Sequence, residues 1–220
     1  MIEHTERKHA LLAPSAAHRW MECPPSAKLC EQYEEKPSKF AQQGTDAHEL
    51  CQFKVEQILG LPTEDPRSKL QYFDNDMEIY TDQYAMYVDT TAMRMGATEV
   101  LVEQKVDFSE YVPDGYGHCD CLMYSDTKPK VIDFKYGNGV FVDARYNPQM
   151  MCYALGALKI LGDKADSIND ISMEIFQPRM HSISYFSMQK DELLEWAENE
   201  LKEKAQLAYN GEGKLNAGQH

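Results

Sequence analysis

The chain has 220 residues, 43% hydrophobic and 26% charged, with a formal net charge of −14. That balance excludes intrinsic disorder, and no apolar run approaches the roughly 18 residues of a membrane-spanning helix. The acidity opposes tight unaided binding to nucleic acid, where Lys and Arg contacts to phosphate supply much of the affinity. A chain so charged must gather its cations locally, recruit divalent metal, or borrow a partner's positive surface. The opening MIEHTERKHALLAPS has no apolar stretch of the kind secretory signals carry, so a cytoplasmic location is expected. The six cysteines form no CxxC pair and read as reduced and mostly buried.

In chain order, Pro14 to Tyr33 reads as one or two short helices broken at Pro24-Pro25. Gly44-Thr45-Asp46 opens a helix, capped by Thr45 or Asp46, with Leu50, Phe53, Val55 and Ile58 following before Gly60. After a loop from Leu61 to Lys69, a longer helix runs from about Asn75 to Met95. Its Met77, Tyr80, Tyr84, Tyr87, Val88 and Met95 lie near a 3.6-residue period, which favours packing over base stacking for the tyrosines. Strands are expected over Val100–Val106, Tyr116–Tyr124 and Val131–Tyr136, with a turn at Pro113-Asp114-Gly115. A short strand is placed around Val140–Val142, and a helix over Pro148–Leu161. Two more strands, Ile171–Gln177 and Ser182–Ser187, precede an acidic helix from Lys190 to about Tyr209. The result is an α/β domain with a central mixed β-sheet flanked by helices. Its helical N-terminal region spans 1–97 and its core spans 98–220, within one structural domain overall.

Three neighbouring strands each carry an acid among apolar residues: Glu103 in VLVEQKV, Asp120 in GHCDCLMY and Asp133 in VIDFKYG. Asp133 and Lys135 are two apart, so strand alternation sends both to one face. A carboxylate and an ammonium buried side by side are costly without a partner or a purpose. Carboxylates are the hard oxygen ligands that Mg²⁺ or Mn²⁺ take, and a lysine beside them can orient water or offset charge in a phosphoryl transition state. Taken singly, each of these residues is as well explained by a structural ion pair. Together on consecutive strands they point to phosphodiester hydrolysis.

Asp120, Asp133 and Lys135 resemble the core of the PD-(D/E)XK nuclease superfamily. Further residues are similar to its RecB-like branch, which includes CRISPR-adaptation nucleases and phage-encoded relatives. Gly44-Thr45-Asp46-Ala47-His48-Glu49 resembles that branch's upstream helix motif, Gly117-His118-Cys119-Asp120 its G-x-x-D signature, and Gln149 with Tyr153 its Q-x-x-x-Y motif. The stretches Leu12–Trp20 and Asn147–Leu158 resemble a phage family described only as a domain of unknown function. The likeness spans roughly Leu12 to Glu203, and it lacks the literal Pro-Asp of the superfamily name.

The resemblance implies a restriction-endonuclease-like core and a DNA-hydrolysing, metal-dependent nuclease, an exonuclease of phage recombination or DNA processing in a bacterial host. It implies a Mg²⁺ or Mn²⁺ held by His48, Asp120, Asp133 and the backbone carbonyl of Phe134, with Glu103 direct or through water. Lys135 would position the water, and Gln149 and Tyr153 would contact DNA. Many relatives hold an iron–sulfur cluster with one N-terminal and three C-terminal cysteines. Cys23 fits the first, but no cysteine follows Cys152, so this chain is expected to hold no iron–sulfur cluster, as a variant or a trimmed piece. Its segment after about Leu207 is then expected to be poorly anchored. His118 is a weaker candidate for the metal site, and His18 and Arg19 for phosphate contact. A catalytically idle DNA- or partner-binding module of a phage recombination or packaging complex is the alternative, which the acidity suits. A phosphoesterase acting on something other than DNA is a third reading.

Overall fold

The computed structural model describes residues 10–33, 38–126 and 128–218. A 3₁₀ turn, Pro14–Ala16, leads into α1 (Ala17–Glu22), and α2 (Ser26–Cys30) follows the Pro24-Pro25 break. Trp20 is fully buried, and its indole N–H is satisfied by the Ala13 carbonyl at 3.1 Å.

The next helix, α3 (Lys39–Ile58), starts five residues before the expected Gly44, because Ser38 caps it by accepting the Ala41 N–H at 3.1 Å. Asp46 therefore lies inside the helix, where its buried carboxylate accepts Gln42 Nε2 at 2.9 Å and the Tyr72 backbone N–H at 2.7 Å. The residue read as a cap instead pins the loop leading to α4 (Asn75–Met95). Asp74 caps α4 through the Met77 N–H at 2.8 Å. The buried Lys54 ties α3 to α4, with Nζ 2.7 Å from Asp82 Oδ1 and 3.1 Å from Glu78 Oε1.

Five strands form one mixed sheet in the order β1 (Glu99–Asp107), β2 (Tyr116–Tyr124), β3 (Pro129–Phe134), β4 (Asp170–Gln177) and β5 (Ser182–Gln189). Only β3 and β4 are parallel, and α5 (Pro148–Leu161) makes the crossover that parallel pairing requires. The expected strand at Val140–Val142 is irregular chain. Gln177 takes over its hydrogen bonds, accepting the Val142 N–H at 2.8 Å and donating to the Val140 carbonyl at 3.1 Å. The closing helical stretch is α6 (Lys190–Trp196), a π-turn over Ala197–Leu201, and α7 (Lys202–Asn210). The segment beyond Leu207 is anchored, contrary to expectation: Tyr209 donates to Asp114 at 2.8 Å, and the Asn216 N–H reaches Cys23 Sγ at 3.3 Å.

Helices cover both sheet faces. Val131, Leu122, Met173 and Ile175 pack with α5, α6, α7 and Trp20, while Cys121, Met123, Ile132, Phe134 and Phe176 pack with Leu50, Met77 and Tyr84 of α3 and α4. The alternation breaks at one place. Cys119 joins the first of these clusters and Cys121 the second, although residues two apart on a strand normally share a face. On β1, Val102, across from Cys121, packs with the second cluster, and Val106, across from Gly117, with the first. Between them Glu103 and Asp120 face each other without pairing, and Glu103 has φ of 46°, a left-handed conformation that a non-glycine residue adopts at a cost. Both strands turn over at this point.

Candidate metal centre

The break at Glu103 and Asp120 opens the sheet toward α3. His48 projects from the middle of α3 and places Nδ1 3.1 Å from Asp120 Oδ1, its ring edge-on to Phe134 at 5.4 Å between centroids. The other oxygen of Asp120 accepts the Phe134 backbone N–H at 2.6 Å. That bond stands where the β2–β3 ladder would have its next rung after Cys121–Ile132. One donor atom from each of His48, Glu103 and Asp120 lies within 4.8 Å of the other two. The three residues come from a helix and two strands, and none is adjacent in sequence to another.

Asp133, one strand over, is not in that group. Its buried carboxylate is held by α5, with Oδ1 accepting Gln149 Nε2 at 3.0 Å. Lys135 Nζ sits 3.0 Å from Asp133 Oδ2, a buried ion pair. Lys135 Nζ also donates to Gln149 Oε1 at 3.0 Å, and Gln149 Nε2 reaches the Tyr153 hydroxyl at 3.2 Å. Gln149 and Tyr153 are both buried, so they fix the Lys135 and Asp133 side chains from behind. Asn147 caps α5 by accepting the Gln149 N–H at 3.0 Å, which sets where that helix begins.

The protonation states follow from these contacts. Burial acts to lower the pKa of His48, but the charge and hydrogen bond of Asp120 outweigh it and push it up to about 9. Burial, then the neighbouring Asp120 charge, raises Glu103 to about 7. Burial works to raise Asp120, yet the His48 charge and the hydrogen bonds from His48 and Phe134 bring it below the ordinary carboxylate value. Asp133 is raised, chiefly by burial. Lys135 is raised despite its burial because Asp133 and Asp120 stand beside it. Burial also pushes the Cys119 and Cys121 thiols up, so they stay protonated and make poor metal ligands.

Three carboxylates therefore share one short stretch of sheet with a single lysine and an imidazole. An oxygen-rich donor set with one ring nitrogen and an excess of negative charge fits a hard divalent cation. His118 is exposed and outside the three-residue metal group. His18 is exposed, and Arg19 is occupied by Ser26 and by Cys30 Sγ at 3.0 Å. Sequence reading did not anticipate the left-handed backbone of Glu103, since nothing in VLVEQKV marks it.

Among solved structures, the chain is similar to SSO0001, at 13% identity over 80% of this chain and 91% of that one, with a TM-score of 0.32. It is also similar to LHK-Exo solved in complex with dAMP, at 14% identity over 89% and 92%, with a TM-score of 0.36. At such scores neither likeness carries weight for fold or function. The family comparison is decisive: the model described as "Protein of unknown function (DUF2800)" matches residues 9–220, and the chain belongs to that family.

Proposed function

We propose that the chain is a divalent-metal-dependent nuclease of PD-(D/E)XK type that hydrolyses DNA phosphodiester bonds. The observation that carries this reading is that donor atoms of His48, Glu103 and Asp120 lie within 4.8 Å of one another, one strand from the buried Asp133–Lys135 ion pair. His48, Glu103 and Asp120 would hold Mg²⁺ or Mn²⁺, with Asp133 Oδ2 and the Phe134 carbonyl completing the donor set. A bound cation of this kind polarises the phosphate and makes water more acidic.

The protein's own groups do the rest. Lys135 carries three N–H donors; one goes to Gln149 and another faces Asp133, leaving a third for the attacking water or a phosphoryl oxygen. Charge developing on that oxygen is met by a fixed ammonium, which needs no reorganisation during the reaction. Gln149 acts as a positioning residue: its amide is held at both ends, by Lys135 and by Asp133 with Tyr153. Burial of Asp133 keeps water from loosening this arrangement.

The test is incubation of labelled linear and circular DNA with Mn²⁺, Mg²⁺ or chelator. Cleavage that requires metal is expected. DNA binding without cleavage under every condition would overturn the reading in favour of an idle binding module.

A further inference from the structure

The sheet has two edges, and they are built differently. β1 carries Glu99, Glu103, Lys105 and Asp107, and the left-handed conformation of Glu103 breaks its flat backbone. Charge and irregularity of this kind keep an edge from pairing with another chain. β5 reads SISYFSMQ over Ser182–Gln189, with no charged residue, no proline and no left-handed backbone. Among the described residues it pairs with β4 alone.

The backbone groups of β5 alternate between the sheet and its open side. Lys190 donates its N–H to the Asn169 carbonyl at 2.8 Å, continuing the register in which Asp170 faces Gln189. Successive strand residues turn alternately to one neighbour and the other, so Ser182, Ser184, Phe186 and Met188 bond to β4. Ile183, Tyr185, Ser187 and Gln189 turn their N–H and C=O groups outward, and among the described residues these have no backbone partner. Apolar side chains rim this open edge. On the face shared with α3 and α4, Ile183 and Tyr185 are 48% and 59% exposed. On the other face the segment 140–146 runs beside the strand. Its Ala144 N–H donates to Ser184 Oγ at 2.9 Å, and its Tyr146 ring stands 4.9 Å from that of Phe186. That segment leaves Val140, Phe141 and Tyr146 exposed.

We propose that β5 is a dimerisation edge. It pairs antiparallel with β5 of a second copy across a two-fold axis, joining the two five-stranded sheets into one. A two-fold at Phe186 sets Ile183 opposite the partner's Gln189 and Tyr185 opposite the partner's Ser187. Every outward group is then used, because each of these facing pairs exchanges two hydrogen bonds. A slip of one residue would set outward groups against inward ones and mismatch the two faces. Charge selects a second copy as the occupant. Two chains of −14 repel each other, so their seam has to be neutral, and β5 alone of the five strands carries no charge. The ends are complementary as well. Arg179 precedes β5 and Asp191 and Glu192 follow it, and antiparallel pairing brings the start of one strand to the end of the other. Lys190, which lies between, is turned back to the Ala165 carbonyl at 2.9 Å. One strand pair with apolar rims is small beside the roughly 1,200–2,000 Å² of stable interfaces, so a micromolar dissociation constant is expected.

Sedimentation equilibrium of the full chain, from micromolar to near-millimolar concentration, should show the mass rising from 25.3 kDa to twice that value. Amide hydrogen exchange followed by NMR over the same range reads the edge itself. Ser184, Phe186 and Met188 should be protected at every concentration. Ile183, Tyr185, Ser187 and Gln189 should gain protection only as the dimer forms. Tyr185→Lys and Ile183→Lys each place a charge in the seam twice, once from each copy, and each should raise the dissociation constant by about tenfold or more. Both also make the chain less negative, so general repulsion between copies does not account for a loss of dimer. Unchanged melting temperatures of the dilute variants show that the fold is intact, and two separate positions guard against a defect at either one. A mass that stays at 25.3 kDa throughout, a dimer whose four outward amides exchange freely, or a dimer weakened by neither lysine overturns the proposal. Protection of the outward amides without a doubling of mass means that the chain's own residues cover the edge, and overturns it equally.

Discussion

Lys135 and Asp133 are two residues apart and 3.0 Å from each other, yet they are expected to fail differently when removed. Lys135→Ala takes away an ammonium that is not a metal ligand. Turnover should fall by about 10²–10³, the usual worth of one charge-stabilising donor, with Mn²⁺ affinity nearly kept. Asp133→Ala should lose metal affinity as well, and equal loss in a calorimetric Mn²⁺ titration of both variants would show Lys135 to be misassigned. Protonation adds a second expectation. The folded pKa of His48 is about 9 against an ordinary 6.5, so the folded state keeps a proton that the unfolded chain releases above pH 6.5. That stability is fully present below pH 6.5 and is lost as pH rises through about 9. Glu103, raised from 4.5 to about 7, has the same sign over its lower window. The melting temperature of metal-free protein should therefore decline from pH 6.5 to 9, and His48→Gln should flatten the decline. A flat profile in the unaltered protein contradicts the His48–Asp120 pairing.

Elements determine whether those side chains meet. The candidate lysine and its aspartate depend on α5, because Gln149 and Tyr153 hold them from its N-terminal half. The helix lies close on β1 at Gly156, where an added Cβ would be 2.5 Å from Val106 Cβ and 3.3 Å from the Asp107 backbone nitrogen. Alanine is better than glycine in a helix by about 1 kcal/mol, but overpacking a tight contact costs about 1–3 kcal/mol. Backbone is among the atoms that must move, so overpacking should win. The net cost is then up to about 2 kcal/mol, and Gly156→Ala is expected to lower the melting temperature by up to about 8 °C, taking roughly 2–4 °C per kcal/mol for a chain of this size. A raised melting temperature would mean that α5 and β1 part freely. Most of these elements were readable: α4, β2 and α5 begin and end where periodicity, caps and turn residues place them. The start of α3 was not, because Ser38 and the packing of Ala47, Leu50 and Cys51 override the helix-breaking tendency of Gly44.

At the scale of the whole molecule the dominant fact is charge. With −14 spread over 220 residues, the field around the chain repels a polyanion, and three carboxylates crowd the candidate centre itself. DNA affinity should therefore be weak with chelator and rise at least about tenfold with Mn²⁺, the scale of one or two neutralised phosphate contacts. The cleavage-impaired Lys135→Ala chain allows this to be measured by fluorescence anisotropy without substrate loss, and equal affinity in chelator and Mn²⁺ would sink the expectation. The first and last described helices also meet at this scale. Asn216 reaches Cys23 and Glu22, and Lys204 of α7 comes within 3.9 Å of Glu22. The C-terminal helix thereby closes over the first helices without any covalent link among the described residues.

What the sequence by itself determined is what short-range physics governs. Strand alternation put Asp133 and Lys135 together, periodicity and caps gave the order of helices and strands, and composition excluded a membrane helix, matching the absence of any helix long and apolar enough among the described residues. What only the tertiary structure decided are the meetings between distant segments and the exceptions to local rules. His48 and Asp120 are 72 residues apart, and their 3.1 Å contact depends on how α3 packs on the sheet. Glu103 joins them because β1 and β2 turn over together at that pair, with a left-handed backbone that no residue in its neighbourhood predicts. Asp133 stays outside that group because Gln149 and Lys135 claim its carboxylate, a balance set by where α5 is capped. Local rules fix what each segment can be, and the three-dimensional competition for each buried charge fixes which residues face one another.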